Sequence, residues 1–92
     1  MTHSAIPPAL AEQVRVAVTH LAQRLKIDPS GISVIEARAI IWPDGSLGCP
    51  RPGMGYRQVP QDGALIRLSA QGREYAYHSG SRQQPFLCDK AD

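Results

Sequence analysis

Ala64-Leu65-Ile66-Arg67-Leu68-Ser69-Ala70-Gln71-Gly72-Arg73-Glu74-Tyr75-Ala76-Tyr77-His78 decides the fold. With Gln71-Gly72 as a two-residue turn, Leu68 stands opposite Tyr75 and Ile66 opposite Tyr77, while Arg67 meets Ala76 and Ser69 meets Glu74 on the other face. That register sorts apolar from polar pairs until Leu65 meets His78, and a slip of one residue would destroy the sorting. The segment therefore reads as an antiparallel hairpin over residues 64–78.

Upstream, Ile32 to Trp42 is rich in β-branched residues and free of Gly and Pro, which predicts a strand. Ile35, Ala37, Ala39 and Ile41 fall on one face, and Glu36 and Arg38 on the other. The two alanines suggest a close approach of a helix. That helix is predicted over residues 8–26, entered at Pro7-Pro8 and stopped by Asp28-Pro29-Ser30-Gly31. Leu10, Val14, Ala17, Val18, Leu21 and Leu25 recur at spacings of three and four as one apolar stripe. Downstream, Ser79-Gly80-Ser81 reads as a turn and Pro85-Phe86-Leu87-Cys88 as a short last strand or strap. Residues 1–6 and 89–92 read as frayed ends. The expectation is one α+β domain, 1–92, with an N-terminal amphipathic helix packed on a three- or four-stranded antiparallel sheet.

Between the first strand and the hairpin lies Trp42-Pro43-Asp44-Gly45-Ser46-Leu47-Gly48-Cys49-Pro50-Arg51-Pro52-Gly53-Met54-Gly55-Tyr56, followed by Gln58 and Pro60. Its Gly and Pro density excludes a helix or a central strand along its whole length. Connections this long in a small domain are either functional or disordered.

The totals exclude several classes. A chain of 92 residues leaves no room for a second core. With 42% hydrophobic and 20% charged residues it belongs with ordinary globules rather than with disordered or fibrous chains. The ten Lys and Arg are scattered one at a time and the formal charge is only +2, which argues against a nucleic-acid stripe. No run approaches the roughly 20 apolar residues of a membrane span. No basic leader with an apolar core opens the chain, so as written it reads as cytoplasmic and soluble.

The two cysteines, Cys49 and Cys88, allow two readings: one bridge that pins the long loop, or two independent buried thiols. A sharper chemical reading makes Cys49 a nucleophile, His78 its base, and Asp44 or Glu74 the group that orients the imidazole, with Gly48 and the next turn supplying oxyanion donors. Against it, His78 falls at a strand end on the polar face with Arg67 and Glu74, where a plain surface histidine is the simpler account. A metal site would draw on Cys49, Cys88 and His78 with a fourth ligand from Asp44 or another His, yet the short-spaced ligand pairs of zinc sites are missing, so no metal or cofactor is assigned. Tyr75 and Tyr77 share the core face of the hairpin, so packing explains them better than a stacking platform does. Trp42 and Tyr56 flank the loop either as anchors or as contact residues for a partner. Arg51 also invites a protease-inhibitor reading, which the following Pro52 disfavours.

From Trp42 through Pro52-Gly53, with Tyr56, Gln58, Tyr75-x-Tyr77-His78 and the late Cys88, the chain resembles a group of small bacterial proteins that share a W-x-D-G-S-L-G-C-P-x-P-G pattern. The resemblance carries no activity. Proteins of that group often have export signals, which implies a disulfide between Cys49 and Cys88. A fainter architectural likeness links helix, strand and Tyr-x-Tyr hairpin to PepSY-like and cystatin-like domains. The resulting expectation is a small non-enzymatic binding module that displays a loop containing Trp42, Asp44, Ser46, Arg51, Tyr56 and Gln58 to a protein or small ligand. The alternative is a thiol-dependent enzyme or redox protein built on Cys49 and His78.

Overall fold

The computed structural model describes residues 6–88, so the ends predicted to fray lie outside the described residues except for Ile6. A short 3-10 turn at Pro8–Leu10 leads into helix α1, Ala11–Leu25, and a second 3-10 turn at Pro29–Gly31 precedes the strands. These are β1 (Ser33–Trp42), β2 (Gln61–Ala70), β3 (Arg73–Gly80) and β4 (Gln83–Leu87), joined in the order β1-β2-β3-β4 with every neighbour antiparallel. The architecture is therefore α+β, one helix on a four-stranded antiparallel sheet.

The hairpin has the predicted register, Leu68 opposite Tyr75, Ile66 opposite Tyr77 and Leu65 opposite His78. Gln71 and Gly72 both take positive φ, 54° and 79°, as a two-residue turn matched to the strand twist requires. Leu10, Val14, Ala17 and Leu21 from the helical stripe meet Ala37, Ala64, Ile66, Leu68, Ala70 and Tyr77 in one core. Each large side chain there gains about 1.5–3 kcal/mol from burial. Two polar contacts tie the helix to the sheet: Tyr77 Oη lies 2.7 Å from His20 Nδ1, and Ser79 Oγ donates to Gln13 Oε1. Burial pushes the Tyr77 phenol up to about 12.

Three expectations need correction. A bulge between Val34 and Glu36 makes Ile35 the extra residue, so Val34, opposite Leu68, takes its place on the core side. Helix α1 lies nearest β4 and β2, so the second half of the edge strand β1 escapes it. Ala39 is consequently exposed and Ile41 is 68% exposed, while Ala37 alone of the alternating set is buried. Finally, the last turn sits at Ser81-Arg82, because β3 runs on through Gly80.

The sheet face away from the helix divides into two halves. Toward the Gln71-Gly72 turn it carries ion pairs across three strands: Arg67 Nε to Glu36 at 2.8 Å, Arg67 Nη1 to Glu74 at 2.9 Å, and Arg38 Nε to Glu36 at 2.7 Å. The other half is covered by the long connection 43–60.

Candidate functional site

That covered half gathers most of the residues singled out in the sequence. Trp42, the last residue of β1, is only 6% exposed. Its ring stacks on His78 with centroids 4.6 Å apart and planes 12° off parallel. Its Nε1–H donates to the Ser79 carbonyl at 2.9 Å. The indole lies against Gly63 of β2: a Cβ placed there would stand 2.6 Å from Trp42 Nε1 and 2.8 Å from Cδ1. On its other side it meets Gly48, where a Cβ would come within 2.7 Å of Cε3. Two glycines thus make the slot that the ring fills, one in a strand and one in the loop.

The loop reaches this position through a compact turn. Asp44 Oδ1 accepts from the Ser46 backbone N–H at 2.9 Å and from Ser46 Oγ at 2.6 Å, forming a side-chain-closed turn. The Ser46 hydroxyl, with help from its N–H, holds the Asp44 carboxyl below the usual carboxylate range. Leu47 and Gly48 follow with φ of 56° and 75°, which reverses the chain and aims the Leu47 carbonyl at His78. His78 Nδ1 lies 2.7 Å from that oxygen. A carbonyl can only accept, so Nδ1 carries the proton. Cys49 comes next and is bonded to Cys88 across a sequence separation of 39, with a Cα–Cα distance of 5.9 Å. Phe86 completes the cluster, its ring centroid 6.2 Å from His78.

Beyond Cys49 the connection becomes exposed. The Met54 N–H donates to the Arg51 carbonyl at 3.2 Å around Pro52-Gly53, with Gly53 at φ 81°, the arrangement of a Pro-Gly turn of type II. Tyr56 Oη accepts from the Arg51 N–H at 3.1 Å, and the Gly45 N–H donates to the Arg57 carbonyl at 2.8 Å, which returns the strand of loop to its base. Gln58 is exposed, its amide donating to the Tyr56 carbonyl at 3.2 Å. Met54 is 60% and Val59 45% exposed.

These placements sort the candidate residues. The nucleophilic constellation is not assembled: Cys49 is in a disulfide, Asp44 is engaged by Ser46, and the His78 proton is given to Leu47 rather than to a carboxylate. The described residues contain no free thiol. His78, expected as a surface residue, is 8% exposed because the loop covers the face it occupies. Of the loop residues expected on display, Trp42 and Ser46 are buried, Asp44 and Tyr56 half-buried, and Arg51 and Gln58 exposed. Arg51 sits in a tight turn, unlike the extended strand that a protease cleft receives. Among the described residues no three or more His, Cys, Asp or Glu side chains are grouped to hold a metal ion, and no helix is long and apolar enough to cross a membrane.

Sequence reasoning overlooked Gly63, Gly48 and Phe86 as parts of the cluster. A glycine inside a strand is a sign of close approach, and Gly63 was legible on that ground. It also passed over Arg57 and Arg82, which carry no motif.

A family model described as Domain of unknown function (DUF8738) matches residues 14–88. No curated protein matches the chain, and no solved structure does.

Proposed function

The chain belongs to that family of domains of unknown function, and we propose that it works as a single, non-enzymatic interaction domain, with the tip of its long loop, residues 51–60, as the displayed surface. One observation carries this reading: Cys49, Asp44 and His78, the residues a catalytic reading would need, are committed together with Trp42 to holding the loop, and the loop tip is left exposed. Cys49 is bridged, His78 and Trp42 are stacked, and Asp44 closes a turn. Met54 and Val59, by contrast, face solvent. A loop pinned by a covalent bond and a buried Trp loses little entropy on binding, which is how rigid display raises affinity. The bridge also fits an oxidising compartment.

Two measurements test the reading. Thiol labelling of the never-reduced protein is expected to give no adduct, native or unfolded; one thiol that labels quickly in the native state would overturn the proposal in favour of thiol chemistry. Met54→Ser and Val59→Ser are expected to leave the melting temperature within about 3 °C, as exposed positions away from packing do. A larger drop would make the tip a structural element.

A further inference from the structure

Where the returning loop meets the β3–β4 turn, a cleft of about 340 Å³ opens to solvent. Leu47 contributes to its floor, Tyr56 and Arg57 line the loop side, Gln61 begins β2 beside them, and Arg82 and Gln83 line the turn side. The positions are fixed by backbone contacts. Gly45 lies flush on Arg57, where a Cβ would stand 3.2 Å from the Arg57 nitrogen, and Gly80 leaves room for Leu47, whose Cδ1 would be 3.0 Å from an added Cβ. Both neighbouring segments are held by the cluster under Trp42, so the cleft is preformed.

Its charge is one-sided. Among the described residues no acidic side chain lines it. Glu12 pairs with Arg15, Glu36 with Arg38 and Arg67, and Glu74 with Arg67, and among the described residues neither Arg57 nor Arg82 has a carboxylate partner. Two arginines from separate chain segments line one concavity together with two glutamines, and no carboxylate among the described residues lines it with them. Such a set recognises planar anions, because each guanidinium offers paired donors that fit a carboxylate. Gln61 and Gln83 add donors and acceptors of the kind that peptide groups satisfy. No helix N-terminus, a usual backbone cradle for phosphate, lies among the lining residues.

We propose that this cleft is a docking site for an acidic peptide segment of a protein partner, with Arg57 and Arg82 each taking a carboxylate. The proposal rests on the interaction-domain reading and names the chemistry of its partner. The exposed Met54 and Val59 lie on the same loop, one on each side of Arg57 in sequence, and suit an apolar residue next to the acids.

The test uses the oxidised 92-residue chain labelled with 15N and a terminally blocked peptide of adjacent glutamates beside a leucine. Titration is expected to shift the signals of Arg57, Gln61, Arg82 and Gln83, and the all-glutamine version of the peptide is expected to shift none of them. Arg57→Gln and Arg82→Gln should each weaken binding about fivefold to tenfold, with Arg57→Lys and Arg82→Lys recovering part of the loss. Arg73→Gln, at the opposite end of the hairpin, should leave affinity unchanged. The proposal falls if the glutamate peptide shifts nothing at millimolar concentration, if the glutamine peptide binds equally, or if both arginine variants bind like the parent. Tighter binding of inorganic phosphate or of an oligonucleotide than of the peptide would also overturn it. Failure here with an unreactive bridge and a dispensable tip would remove the peptide assignment and leave the interaction-domain reading standing.

Discussion

Replacing both cysteines, Cys49→Ala with Cys88→Ala, removes the only covalent link between the loop base and the end of β4 without leaving an unpaired thiol. The bridge closes a sequence separation of 39, and in the chain-entropy account a loop of that length is worth about 4 kcal/mol. A domain of 92 residues has a total stability of roughly 5–14 kcal/mol, so the variant should lose more than a quarter of it. The melting temperature should fall by about 15–30 °C. The assay is urea unfolding of parent and variant, followed by far-UV circular dichroism and by fluorescence of the sole tryptophan, Trp42. Trp42 reports on the loop base directly, since it stacks on His78 and is packed between Gly48 and Gly63. The two probes should stay coincident, because the Trp42 cluster is built on β2 and β3 and cannot dissolve without them. The slope against urea should rise, since an uncrosslinked denatured chain exposes more surface. A loss under about 1 kcal/mol would refute the reasoning, for it would mean that the bridge constrains nothing the fold does not already fix.

Further outcomes follow from the same geometry. Gly63→Ala places a methyl against the Ser79 carbonyl and the Trp42 ring and should cost about 3 kcal/mol or more in urea unfolding, whereas Gly53→Ala, with nothing within 4 Å of the added carbon, should cost about 1 kcal/mol from its positive φ alone. Lys26 caps helix α1 in the left-handed region at φ 59° and is exposed, so Lys26→Gly should raise stability by roughly 0.5–1 kcal/mol, read as a higher melting temperature. The hydrogen bond from Arg67 holds the Glu36 carboxyl below its ordinary value of 4.5. The unfolded chain then binds more protons than the folded one, so this contribution is present above 4.5 and is lost as pH falls through the folded value. Glu36→Gln should flatten that acid limb in a series of urea midpoints against pH, and an unchanged limb would remove the ion network from the account.

The hairpin was legible because two independent signals agreed: a Gln-Gly turn with both residues able to take positive φ, and a register that sorts apolar from polar pairs as far as Leu65 and His78. The helix was legible from its stripe for the same kind of reason. What failed in β1 failed physically. Val34 and Ile35 are both apolar, so nothing in the pattern marks which one the bulge expels, and every residue before it changes face as a result. Ile41 was misplaced because alternation tells which face a residue takes and says nothing about how far the helix reaches. His78 was misplaced because the sheet was read as having one buried face. Its second face is covered only by a segment with no periodicity, whose fold depends on contacts with Gly63, Ser79 and Cys88, all distant in sequence.

That second layer changes what the loop motif means. A sheet of four strands covered by one helix leaves one face open, and a small chain has no second helix to spend on it. Here the covering is done by the most compact means available: one Trp laid flat in a slot of two glycines, one His locked by a backbone carbonyl, and one disulfide. Trp42, Asp44, Gly48 and Cys49 each make a contact that holds this packing or the turn leading into it. The density of rare residues is therefore a sign of structure, and specificity has to be sought in the ordinary residues that the cluster holds in place. Arg57 and Arg82 belong to no motif, yet both line the cleft, beside the close approaches of Gly45 to Arg57 and of Gly80 to Leu47. Loosening the cluster and neutralising the two arginines should therefore weaken peptide binding by different routes, the first with a loss of stability and the second without.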